Sequence, residues 1–94
     1  MTTSRQLLAE QPIEIENSTS APLEVMIEMN PDRYVLQPED KMVIHAHPEA
    51  GALGLAFFDG GVQIYLGWDS GPTVSINGQI VEPDWETPGP NAAR

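Results

Sequence analysis

Residues 13–29, IEIENSTSAPLEVMIEM, decide the fold class. Ile13 and Ile15 alternate with Glu14 and Glu16, and further on Leu23, Val25, Ile27 and Met29 alternate with Glu24, Met26 and Glu28. A period of two sends successive side chains to opposite faces of an extended chain, so each run is a strand with one face toward a core. Between the runs, Asn17-Ser18-Thr19-Ser20-Ala21-Pro22 is polar and turn-forming. Two half-buried strands joined by a loop follow.

The same pattern extends toward the C-terminus. Asn30-Pro31-Asp32 forms a turn, because proline fixes its own φ and biases the preceding residue away from helix. A short strand from Arg33 to Leu36 meets a second turn at Gln37-Pro38-Glu39-Asp40, after which Met42, Ile44 and Ala46 share one face and Val43, His45 and His47 the other. Pro48-Glu49-Ala50-Gly51 ends that strand. Residues 53–58 are almost continuously apolar, which predicts a central strand covered on both faces. Asp59-Gly60-Gly61 is a tight hairpin signal, and the return strand places Val62, Ile64, Leu66 and Trp68 opposite Gln63, Tyr65 and Gly67. Asn77-Gly78, between the runs 73–76 and 79–82, predicts a type I′ turn, since both residues tolerate positive φ.

These signals predict an all-β fold: a single antiparallel β-sandwich of about seven or eight short strands without substantial helix. The expected organisation is a flexible N-terminal segment (1–11), a sandwich domain (12–82) and a flexible, Pro-rich C-terminal tail (83–94). The run IEIENSTSAPLEVMIEM followed by DRYVLQPEDKMVIHA resembles small uncharacterised bacterial β-sandwich proteins of cupredoxin-like or immunoglobulin-like topology. The resemblance covers residues 13–46, implies the fold, and implies no activity.

Charge narrows the partners. The chain carries a formal net charge of −10, and its four basic residues (Arg5, Arg33, Lys41, Arg94) are scattered. Phosphate recognition needs clustered Lys and Arg, so direct nucleic-acid binding is disfavoured, as is an anionic membrane surface. No run approaches the roughly 20 apolar residues of a membrane-spanning helix. Leu7-Leu8-Ala9 is too short for a secretory signal. The absence of cysteine excludes disulfides and thiolate metal sites, and a cytoplasmic protein is expected.

Chemistry-bearing residues are few. His45 and His47 are two apart on one strand face, where two imidazoles can converge on an ion, but a zinc site needs three or four protein ligands. Cupins follow a His-x-His strand with a glutamate, and the corresponding positions here are Gly51 and Ala52. Blue-copper sites need a cysteine. No cofactor is therefore expected, and the metal-binding sandwich through His45 and His47 stands as an alternative. Gly67-Trp68-Asp69-Ser70-Gly71-Pro72 is superficially similar to a serine-protease nucleophile loop but lacks its second glycine and any oriented base, so it reads as a turn and the protein as no enzyme.

The remaining candidates point to interaction. Glu14, Glu16, Glu24 and Glu28 project outward from strands expected to be neighbours, as edge protection or as a docking face for a basic partner. Tyr65 has exposed parity, and Trp85 in Pro83-Asp84-Trp85-Glu86 can anchor a contact. Met26, Val43 and Phe58 would form an apolar strip on a homodimer; otherwise the chain is a monomer. The expected function is a small, acidic, non-enzymatic protein-interaction or accessory domain, with an acidic nucleic-acid mimic as a further alternative.

Overall fold

The computed structural model describes residues 12–28, 32–45, 54–66 and 72–90. They contain eight strands and no helix: β1 (Ile13–Glu16), β2 (Leu23–Glu28), β3 (Asp32–Leu36), β4 (Lys41–His45), β5 (Gly54–Phe58), β6 (Gly61–Tyr65), β7 (Thr73–Ile76) and β8 (Gln79–Ile80). Two four-stranded sheets result, sheet A in the order β1-β4-β7-β8 and sheet B in the order β3-β2-β6-β5. No helix among the described residues is long and apolar enough to cross a membrane.

Alternation builds the core as the sequence predicts. In sheet A, Ile13 stands opposite Ile44 and Ile15 opposite Met42, while Glu14 and Glu16 face the other way. In sheet B, Val25 stands between Tyr34 and Val62, and Ile27 stands beside Ile64. One buried cluster draws on both sheets: Met42, Ile44 and Val74 from A; Val25, Ile27, Tyr34, Leu36, Val62 and Ile64 from B; and Leu66 just beyond β6. Each fully buried aliphatic side chain contributes about 1.5–3 kcal/mol.

The turns behave as their residues dictate. Asn77 and Gly78 both have positive φ (53° and 85°), as a type I′ turn requires. The β5–β6 hairpin closes through Asp59-Gly60, with Gly60 at φ 85°. A Cβ on Gly61 would fall 2.3 Å from the Glu24 carbonyl oxygen and 2.4 Å from the Phe58 ring, so only glycine fits there. In the 37–40 turn the Asp40 amide donates to the Gln37 carbonyl (2.9 Å), with Glu39 at φ 74°.

Several expectations need correction. Sheet B is mixed, because β2 and β6 are parallel neighbours at its centre. Strand alternation reports which face is buried but not which strand lies alongside. For the same reason β1 and β2, expected as neighbours, lie in different sheets. Residues 53–58 do not form a covered central strand: β5 is an edge strand, with Leu55 54% and Phe57 79% exposed although they share the face of Ile64 and Val62. Met26 and Phe58 belong to sheet B and Val43 to sheet A, so no single apolar strip unites them. Within the tail expected over 83–94, Asp84 and Thr87 are hydrogen-bonded to Arg33 of β3. The segment 1–11, His47 and the 67–71 portion of the serine loop lie outside the described residues.

Candidate functional site

β3 is buried at four consecutive positions, Arg33 to Leu36, where alternation would bury two. Tyr34 and Leu36 face the core with Val25 and Leu23, whereas Arg33 and Val35 pair with Met26 and Glu24 on the opposite face. The C-terminal segment accounts for this. The Asp84 amide donates to the Arg33 carbonyl (2.7 Å), using the free edge of β3. The Arg33 guanidinium holds the same segment from its side chain, with Nη1 donating to the Asp84 carbonyl (2.8 Å) and Nη2 to the Thr87 carbonyl (2.9 Å). Its Nε donates to Glu24 Oε2 in an ion pair. Gly89 completes the enclosure: a Cβ there would lie 3.2 Å from Arg33 Nη2. A planar five-donor guanidinium suits this threefold task in a way that an ammonium does not.

Asp84 fixes the local backbone. Its Oδ1 accepts from the Glu86 and Thr87 amides (2.9 and 3.0 Å) and its Oδ2 from the Thr87 hydroxyl (2.5 Å). The Thr87 side-chain bond, then the Thr87 and Glu86 backbone bonds, draw the carboxyl down to about 2, with the Arg33 charge a lesser contribution. Proline at 83 and 88 further restricts the segment.

A cleft of about 530 Å³ opens where β3 meets this segment, lined by Tyr34, Val35, Ile76, Val81 and residues 82–86. Its lining combines Trp85, 59% exposed, with the acidic residues Glu82, Asp84 and Glu86. Tyr34 is only 4% exposed, and its hydroxyl has no hydrogen-bond partner among the described residues. No side-chain oxygen sealed from solvent is left unpaired among the described residues, so that hydroxyl keeps contact with solvent, and Tyr34 lines the cleft. Burial, then the charges of Asp32 and Glu82, push its pKa up to about 12, so it stays a neutral O–H. An indole face, carboxylates and a neutral hydroxyl together attract a cation with N–H donors.

A second depression, at the β1–β2 loop, is lined by Glu16, Ser18, Ser20, Glu39 and Lys41 around a fully engaged Asn17 and has no aromatic side chain. Asn17, 1% exposed, donates to the Ala21 and Leu36 carbonyls (2.8 and 2.9 Å) and accepts from the Thr19 amide and hydroxyl. Its backbone bonds the 37–40 turn through Asp40 and Glu39, and Asp40 in turn bonds Asn77. These bonds hold the loop to the neighbouring turns.

The other predicted residues are dispersed. Glu14 and Glu16 lie on sheet A, with Glu16 opposite Lys41. Glu24 is committed to Arg33, and Glu28 accepts from Gln63 (3.1 Å), which itself accepts from the hydroxyl of Tyr65, 44% exposed. The four glutamates therefore form no common face. His45 is exposed at the end of β4 opposite Thr73, and among the described residues no three His, Asp or Glu side chains gather around one point. Trp85 is the one predicted interaction residue that lies at the cleft. Tyr34, Arg33 and Glu82 were not distinguishable in the sequence; the only available signal was the three acids that punctuate residues 82–86.

No protein family, curated protein or solved structure matches the chain.

Proposed function

We propose that this chain is a small, non-enzymatic interaction module, a β-sandwich of immunoglobulin-like or cupredoxin-like type whose cleft at β3 docks a basic segment of a partner protein. The shared buried cluster of the two sheets supports the sandwich. The docking reading is carried by one observation: the exposed Trp85 lines one cleft with three acidic residues, on a backbone segment that Arg33 fixes in place. Exposed aromatics on fixed backbone make effective anchors because little entropy is lost when they are covered. The net charge of −10 adds long-range attraction for a basic partner and speeds its encounter.

The test is calorimetric titration of the full chain with an Arg- and Lys-rich peptide at several salt concentrations. Binding should weaken steeply between about 50 and 300 mM salt as screening shortens the reach of the charges. It should weaken at least tenfold in Trp85→Ala at the lowest salt. Equal affinity of wild type and Trp85→Ala for the peptide would refute the cleft as the docking surface.

A further inference from the structure

Building on that reading, we propose that the cleft seats a single arginine side chain of the partner, its guanidinium stacked on Trp85 and hydrogen-bonded to the Tyr34 hydroxyl and the Glu82 carboxylate. Three features select this ligand from among basic groups. First, Tyr34, whose residue is 4% exposed, lines the cleft, and its hydroxyl makes no hydrogen bond among the described residues while keeping contact with solvent. Open to solvent and unbonded within the described residues, it is free to accept a hydrogen bond from a donor brought by a ligand. Second, the carboxylates of Glu82 and Glu86 carry no hydrogen bond among the described residues, whereas both Asp84 oxygens are already engaged by Thr87 and Glu86. The charge available to a ligand is therefore that of Glu82 and Glu86, while Asp84 shapes the wall. Third, Ile76 and Val81 line the cleft together with the indole. An arginine stem can lie along this apolar surface while its planar head stacks on the ring.

Arginine is favoured over lysine by geometry. A guanidinium offers several N–H donors in one plane and can serve a carboxylate and a hydroxyl while its face covers an aromatic ring; an ammonium cannot do all three at once.

The experiment uses the full chain labelled with nitrogen-15 and three capped pentapeptides, glycine apart from a central arginine, lysine or citrulline. The Trp85 indole N–H signal is identified by its loss in Trp85→Phe. The arginine peptide should move that signal saturably, lysine should bind about three- to tenfold more weakly, and citrulline, which keeps the shape without the charge, at least tenfold more weakly. Tyr34→Phe and Glu82→Gln should each weaken the arginine peptide about three- to tenfold; Glu82 is exposed, so its variant reports even if Tyr34→Phe perturbs packing. Equal binding of citrulline and arginine, or unchanged affinity in both variants, would overturn the seat. If longer basic peptides bind in a salt-sensitive way without moving the Trp85 signal, the seat is refuted while a basic partner docking elsewhere stands. If no basic peptide binds at all, both readings fall.

Discussion

Arg33→Met should detach the C-terminal segment and cost the fold about 3 kcal/mol. Methionine keeps most of the stem volume and removes the three bonds that Nε, Nη1 and Nη2 make to Glu24 and to the carbonyls of Asp84 and Thr87. Bonds from a charged donor are worth about 1.5–3 kcal/mol each when their acceptors stay buried, but both carbonyls regain water once the segment lifts. Glu24 is the larger loss. Orphaning one member of a buried ion pair costs about 3–5 kcal/mol, and because the Glu24 side chain keeps 26% exposure against 11% for Arg33, the lower end applies. For a domain of this size, about 3 kcal/mol lowers Tm by roughly 12–24 °C. Urea unfolding followed by far-UV circular dichroism measures the loss, and the Trp85 indole signal reports the segment directly. Adding Glu24→Leu should recover part of the stability, since the second substitution removes the orphaned charge. A loss below about 0.5 kcal/mol with an unmoved indole signal, or a double variant whose losses simply add, would refute this account of the segment.

Other substitutions probe other parts of the fold. Asn17→Ala should cost about 2–3 kcal/mol by stripping donors from the Leu36 and Ala21 carbonyls, and Asn17→Asp should cost more because it points acceptors at them; chemical denaturation ranks the two. Gly61→Ala should cost about 3 kcal/mol or more, since its Cβ would strike the Glu24 carbonyl and push β6 from β2; equal stability to wild type would show that the ladder can shift freely. Tyr34 is held neutral, from an ordinary 10.0 up to about 12, so its contribution is complete below pH 10 and is lost as pH climbs toward 12. In a Tyr65→Phe background the single remaining phenol should titrate well above 10 by ultraviolet absorbance; an ordinary titration would contradict its burial.

Much of the fold was legible because sheet alternation is a local property. Ile13, Ile15, Val25, Ile27, Met42, Ile44, Val62 and Ile64 announce their inward face through their immediate neighbours, and Asn77-Gly78 announces its turn through its own φ preferences. Strand neighbourhood is not local. Nothing within 23–28 tells whether β1 or β6 lies beside it, so the parallel pairing could not be read. The apolar run Leu55 to Phe58, with Leu55, Phe57 and Phe58 exposed, misled for a related reason: apolarity reports what a residue tolerates, and edge position is decided by the other strands. At the cleft, Trp85 stood out by type alone. Tyr34 carries core parity and Arg33 surface parity, and neither reveals that a segment some fifty residues onward folds across them.

The parallel contact between β2 and β6 also bears on how the chain reaches its fold. The β2–β3 and β5–β6 pairs close over short connections, and such hairpins form in roughly 1–10 μs. Sheet B is complete only when the two hairpins meet along their inner strands, bringing Val25 to Val62 across a long stretch of chain. Contacts of that separation dominate the folding time, which places this small protein with the millisecond-to-second folders. The bond from the Glu24 amide to the Gly60 carbonyl (2.8 Å) stands at the mouth of that meeting, beside the glycine that lets the strands approach. Substitutions there should slow folding, while substitutions in the Trp85 segment should leave the folding rate alone and speed unfolding.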